Sequence, residues 1–183
     1  MDTAIAEAVA ALRAGGVIAY PTEAVYGLGC DPFDQAAVSR LFTLKQRPPN
    51  QGVLLIAADF AQVEKFIGAA PVEAVARART TWPGPHTWVF PRSAAIPHWL
   101  TGAHTGIALR VTAHPLAAAL CRVFGGALVS TSANRHGGTP VRNAGAARAA
   151  FGDELAYILS GAVGGLDRPT SIRDAISGEL LRT

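Results

Sequence analysis

Residues 17–29 read VIAYPTEAVYGLG, and the rest of the chain takes its meaning from this stretch. Val17 to Tyr20 is a short apolar run of the kind that forms a buried strand. Pro21 fixes one backbone angle and closes the run, while Gly27 and Gly29 permit a close backbone approach by a ligand or a neighbour. Taken alone, 21–29 reads best as a turn between two strands. Upstream, residues 2–14 place Ile5, Val9 and Leu12 on one helical face, and Gly15-Gly16 stops that helix just before the strand.

Downstream the pattern alternates. Asp34 is placed to cap a helix running to about Leu44, with Val38, Leu41 and Phe42 turned inward. Gly52 to Ala57 is a second apolar strand, and a helix carrying Phe60, Val63, Phe66 and Ile67 is expected from Asp59. Pro71 opens a helix towards Thr81, and Trp82-Pro83-Gly84-Pro85 forms a turn. Thr87 to Phe90, Gly106 to Val111 and Ala127 to Val129 are strand-like. Helices are expected from His114-Pro115 to Phe124 and over Ala144 to Ala150, with strand character returning near Tyr157 and Ile172. Strands interleaved with helices predict an α/β domain, with parallel and mixed pairing both open.

Composition narrows the class. The chain has 183 residues, 50% of them apolar and 16% charged, so one domain over 1–183 with a sizeable core is expected and disorder is excluded. No apolar run is long enough to span a bilayer, so no membrane partner is expected. Asp2, Glu7 and Arg13 interrupt the first twenty residues, unlike a secretory signal. Cys30 and Cys121 are too few for a disulfide framework, and reduced thiols in the cytoplasm are the expectation. The formal charge of +3 admits an anionic ligand but is far from the basic stripe of a dedicated nucleic-acid binder.

Several chemistries have no support. There is no P-loop, no G-x-G-x-x-G after a strand, no H-x-x-x-H or paired C-x-x-C, and no G-x-S-x-G elbow. No metal site is expected, and the five histidines, lacking partner spacing, read as surface or packing residues.

Four polar clusters remain, each at an element end. The first is Pro21–Gly29. In Lys45-Gln46-Arg47-Pro48 two cations can converge on a polyphosphate, or merely complement a helix C-terminus. Ser130-Thr131-Ser132-Ala133-Asn134 offers hydroxyls and an amide to a ligand, or an N-cap and turn. Pro169-Thr170-Ser171-Ile172-Arg173-Asp174, with Arg182 beyond, is a ligand loop or a polar turn and solvated terminal strand. Arg110 interrupts the apolar run Ile107 to Val111. Facing inward it requires an anion, for which a carboxylate in a two-pronged contact is the natural partner.

In this order and spacing, PTEAVYGLGCDP (21–32), KQRP (45–48), WPGP (82–85), ALRV (108–111), STSAN (130–134) and SIRDAISGELL (171–181) resemble the YrdC-like family of threonylcarbamoyl-AMP synthases in its short bacterial form. The resemblance covers nearly the whole chain. It implies an open, twisted mixed α/β sheet with flanking helices around a large basic cavity. It also implies condensation of L-threonine, bicarbonate and ATP into threonylcarbamoyl-AMP with release of pyrophosphate. ATP is then a substrate, accompanied by Mg²⁺ bound through the nucleotide. A separate tRNA threonylcarbamoyl-transfer complex would carry the group to adenosine 37 of tRNAs reading ANN codons. By carry-over, Lys45 and Arg47 are the catalytic cations; they bind ATP together with Ser132, Asn134 and Arg182. Thr22, Arg110, Ser130 and Thr170 line the threonine end. One departure follows Asn134, where Arg135-His136-Gly137 stands and the family usually has a residue, then Ser-Gly.

The competing reading is a non-catalytic double-stranded RNA-binding or ribosome-maturation factor that docks RNA on the basic cavity. The mild charge and the lack of a basic strand studded with aromatics weigh against it. A carbamoyltransferase of the hydrogenase-maturation kind normally needs additional domains, and 183 residues make that reading remote.

Overall fold

The computed structural model describes residues 3–168 and 170–182. Residues 18–29 form a hairpin: β1 (Ile18–Pro21) and β2 (Tyr26–Gly29) pair antiparallel, with Ile18 opposite Gly29 and Pro21 opposite Tyr26. Helix α1 (Thr3–Arg13) precedes it, burying Ile5, Val9 and Leu12 as expected, with Ala8 between them. Asp34 caps α2 (Gln35–Lys45) by accepting from the Ala37 N–H at 3.0 Å. Then come β3 (Leu54–Ala57), α3 (Val72–Thr81), β4 (Thr87–Pro91), the single-turn α4 (His98–Thr101) and β5 (Gly106–Val111). After α5 (Pro115–Phe124) the chain adds β6 (Leu128–Ser132), α6 (Ala144–Phe151), β7 (Tyr157–Ile158), β8 (Ile172–Asp174) and β9 (Leu180–Arg182).

The helix expected from Asp59 is two 3₁₀ turns instead, Phe60–Gln62 and Glu64–Phe66. The span is too short to propagate an α-helix. Asp59 caps the first turn, and Ile67 is already drawn into an antiparallel bridge with Arg92.

The nine strands form one open mixed sheet in the order β7-β1-β2-β6-β3-β5-β4-β8-β9. Three of the pairs are parallel: β1 with β7, β3 with β5, and β4 with β8. Period-two alternation splits the sheet into two faces. Ala19, Leu55 and Val129 lie on the face covered by α2, α3, α4 and α6. Ile18, Ile56 and Leu128 lie on the other, under α1 and α5.

Those last two helices cover only one end of their face. Following the same alternation along β3, β5 and β6 leads from Ile56 to Leu54, from Arg110 to Ala108, and from Leu128 to Ser130 and Ser132. There the face opens into a cavity of about 1100 Å³. In the connection from β7 to β8, residues 159–168 leave one margin of the sheet and residues 170–171 lead into β8 near the other. The former are stitched to the hairpin turn by Gly164 N–H to Thr22 O (2.9 Å) and Leu166 N–H to Glu23 O (3.1 Å). No helix among the described residues is long and apolar enough to cross a membrane.

Candidate functional site

All nine residues singled out for ligand binding line this one cavity: Thr22, Lys45, Arg47, Arg110, Ser130, Ser132, Asn134, Thr170 and Arg182. They come from six separate stretches of chain, around positions 22, 45–47, 110, 130–134, 170 and 182, which the tertiary fold brings together.

Lys45 ends α2, yet its charge does not complement that helix. The helix is closed by Gln46, whose left-handed backbone (φ 53°) turns its N–H back to the carbonyls of Phe42 and Thr43. The Lys45 ammonium crosses to the loop after β6, donating to the carbonyls of Ser132 and Asn134, the latter at 2.7 Å, and to Asn134 Oδ1 at 3.5 Å. That same Oδ1 accepts from Ser132 Oγ at 2.6 Å, and the Asn134 amide donates to the carbonyls of Arg135 and Gly138. The K-x-R and S-x-N stretches are therefore one hydrogen-bonded unit. Burial, with Arg47 the next cause, pushes the Lys45 ammonium down to about 8.

Arg47 donates to Thr131 Oγ1 at 3.3 Å and to the carbonyls of Gln51 and Gly52. Its Nε is buried and has no hydrogen-bond partner. Burial, and next the charge of Arg182, hold its pKa below the usual guanidinium value. Among the described residues only two ion pairs form, Arg110 with Glu23 and Arg135 with Glu154. Lys45, Arg47 and Arg182 thus face the cavity without an ion-pair partner there.

Arg110 corrects an expectation. It is buried and faces inward, but its anion belongs to the protein: Nη1 meets Glu23 Oε2 at 3.4 Å. Its two-pronged contact is to a hydroxyl, with Nε and Nη2 both donating to Thr87 Oγ1 at 2.9 and 2.6 Å. The other Nη2 hydrogen goes to Thr170 Oγ1. A guanidinium has five N–H groups, so one on Nη1 is left to offer a ligand. Glu23 is held in turn by Thr112 Oγ1 at 2.5 Å and the Ala113 N–H at 3.2 Å. Glu23 and Thr87 were missed from sequence. Glu23 lies within residues 17–29, and a buried arginine demanding an anion was the signal that could have found it.

The hydroxyl-bearing residues gather nearby. Thr22 closes the hairpin turn by donating to Val25 O at 2.7 Å. A Cβ placed on Gly27 would stand 3.2 Å from Thr22 Cγ2 and 3.4 Å from Ser130 Oγ, so this glycine keeps the space between them open. Gly29 serves packing instead. A Cβ there would lie 2.5 Å from Val129 O and 2.8 Å from the Tyr20 ring.

Two histidines, His104 and His136, stand exposed on the cavity lining. A third, His114, is buried and caps α5: Nδ1 accepts from the Ala117 N–H and Nε2 lies 2.9 Å from Ala162 O, which places the proton on Nε2. No group of three or more His, Cys, Asp or Glu suited to a metal ion exists among the described residues. The lining holds one carboxylate, Asp174, whose Oδ1 already accepts from Ile176 N, Ser177 N and Ser177 Oγ.

A family model for the Sua5/YciO/YrdC group, described as "Telomere recombination", matches residues 10–183. A protein of Coxiella burnetii called threonylcarbamoyl-AMP synthase is 54% identical over 178 residues, covering 97% of this chain and 96% of its own. One of the same name from Alkalilimnicola ehrlichii is 54% identical over 181 residues, covering 97% and 94%. Among solved structures, P. abyssi Sua5 complexed with L-threonine superposes with a TM-score of 0.90 at 32% identity. That match covers 97% of this chain but 53% of the Sua5 chain. E. coli YciO, with a TM-score of 0.83 at 24% identity over the full chain and 92% of its own length, shares the fold.

Proposed function

The chain belongs to the Sua5/YciO/YrdC family, and from that premise we propose that it is an L-threonylcarbamoyladenylate synthase, a nucleotidyltransferase. The reaction joins L-threonine, bicarbonate and ATP into threonylcarbamoyl-AMP, with pyrophosphate and water released. The observation that carries the reading is the set of three cavity cations, Lys45, Arg47 and Arg182, with no ion-pair partner among the described residues. Lys45 is buried, Arg47 half-buried and Arg182 exposed; a desolvated cation without counter-charge is costly, and a triphosphate repays that cost at Lys45 and Arg47. The orphaned Nε of Arg47 adds a donor that a phosphate oxygen satisfies.

In this reading Lys45 and Arg47 hold the phosphates and stabilise charge as pyrophosphate departs. Ser132 and Asn134, pinned by Lys45, supply neutral groups beside them. Threonine sits at the other end, its carboxylate on the remaining Nη1 hydrogen of Arg110 and its side chain among Thr22, Ser130 and Thr170. Its amine forms the carbamate with bicarbonate, and a carbamate oxygen attacks the α-phosphorus. Catalysis is positioning and charge neutralisation, with no side-chain nucleophile. Forming and using the carbamate within one cavity shortens its exposure to water, in which it is labile. Magnesium, where it takes part, would arrive on the nucleotide; no group of three or more His, Cys, Asp or Glu among the described residues would hold it. A separate transfer system would carry the product to tRNA.

The test is pyrophosphate release from ATP by the purified protein. Release that needs L-threonine and bicarbonate together supports the assignment, and release indifferent to either one overturns it.

A further inference from the structure

The cavity is electrically lopsided. At one end stand Lys45 and Arg47, unpaired by any carboxylate among the described residues; Arg182, likewise unpaired, is within electrostatic reach of both Arg47 and Arg110. At the other stands Arg110, and its charge is answered inside the protein by Glu23. Both members of that pair are 6% exposed. The pair is built with care: each Glu23 oxygen has a partner, and four of the five Arg110 N–H groups are engaged. Glu23 does not line the cavity, so it acts through Arg110.

We propose that Glu23 sets ligand choice at the Arg110 end, cancelling the guanidinium charge so that this end takes a zwitterionic amino acid and refuses a phosphate. The inference rests on the function proposed above. An amino acid at neutral pH carries no net charge, and it matches the Arg110–Glu23 pair, whose charges sum to zero and which still offers one N–H. A phosphate brings more than one negative charge and would face the Glu23 carboxylate behind Arg110 at short range. The three free cations impose no such penalty. Glu23 therefore gives the nucleotide one direction of entry, triphosphate towards Lys45 and Arg47, and keeps released pyrophosphate from blocking the amino-acid end. This is selection by repulsion, which contacts to the favoured ligand alone do not supply.

Glu23→Gln tests the idea, because glutamine keeps the shape and can accept from Thr112 while removing the charge. Equilibrium dialysis with inorganic phosphate counts its sites. The expected result is one site in the unaltered protein and two in Glu23→Gln, with Glu23→Asp restoring one. Equal counts in the unaltered protein and Glu23→Gln overturn the proposal. In parallel, threonine binding is measured calorimetrically against rising phosphate. Phosphate should leave the threonine dissociation constant of the unaltered protein within twofold and raise that of Glu23→Gln at least tenfold. If Glu23→Gln does not fold, the unaltered protein still decides: threonine affinity that falls in proportion to added phosphate overturns the proposal. A protein that binds no threonine but shows one phosphate site, and two in the variant, would retain the Glu23 inference and sink the proposed function.

Discussion

The Lys45 ammonium, on the last residue of α2, lies 2.7 Å from the carbonyl oxygen of Asn134, 89 positions further along the chain. One side chain thereby ties the end of α2 to the end of β6 and the turn beyond it, and this part of the cavity lining becomes one hydrogen-bonded unit. A charged donor holding a loop contributes both to ligand binding and to the loop's own order.

Lys45 and Arg47 should accordingly separate under mutation. Lys45→Ala removes the strut under the Ser132–Asn134 loop, so it should lower the melting temperature as well as kcat/KM for ATP. Arg47→Ala should cost activity with a smaller loss of stability. Each should lose about 2 kcal/mol of transition-state stabilisation, the range for hydrogen bonds to charged groups. Thermal melts beside steady-state pyrophosphate release check this, and wild-type turnover in both variants would return the pair to a structural role.

Lys45 also gives a pH signature. Its folded value of about 8 lies below the ordinary 10.5. Between those values the unfolded chain holds more protons. The stability of the free protein should therefore rise as pH goes from about 8 to 10.5, and this group adds no further change well below 8. A triphosphate acts in the opposite sense, because it favours the ammonium. ATP binding at pH 8 should take up protons, seen as a buffer-dependent calorimetric heat that Lys45→Met abolishes. Heats identical in buffers of different ionisation enthalpy would place Lys45 outside the phosphate field.

Gly27 and Gly29 should respond differently to alanine. Gly27→Ala narrows the space between Thr22 and Ser130 and should weaken threonine binding about tenfold or more with the fold retained. Gly29→Ala drives a methyl against Val129 O and the Tyr20 ring, and should destabilise the protein by about 1–3 kcal/mol, typical of overpacking. Denaturant melts and threonine titrations on both variants decide the matter. Equal loss of stability would mean that Gly27 is packing too.

Choice of threonine over valine must come from its hydroxyl, since the two side chains are nearly isosteric. A site that pairs the hydroxyl can reject the analogue by about 10⁴-fold. Changes at Thr22, Ser130 or Thr170 should erode the threonine-to-valine ratio in kcat/KM, with Ser130→Ala the cleanest because Thr22 also closes a turn and Thr170 also holds Arg110. Arg110→Ala should weaken both amino acids alike. A changed ratio with unchanged affinity in Arg110→Ala would remove that residue from the carboxylate.

Local sequence carried much of this protein. The helix from Asp34, the strand from Val17, the helix begun at Pro115 and the run ending in Ser130–Asn134 all stand near where periodicity and turn chemistry placed them, because short-range sterics and capping decide such features. The motifs together named the family, and the nine residues they pointed to share one cavity. What those residues hold on to was not legible. Glu23 reaches Arg110 across 87 positions, and Lys45 reaches past its own helix end to Ser132 and Asn134. Nor could spacing show that α1 and α5 cover one end of a sheet face and leave the other hollow. A side chain's type and period follow from its neighbours in sequence. Its counter-charge and its access to solvent are set by strand order and by which end of a face the helices reach, and only the assembled sheet decides those.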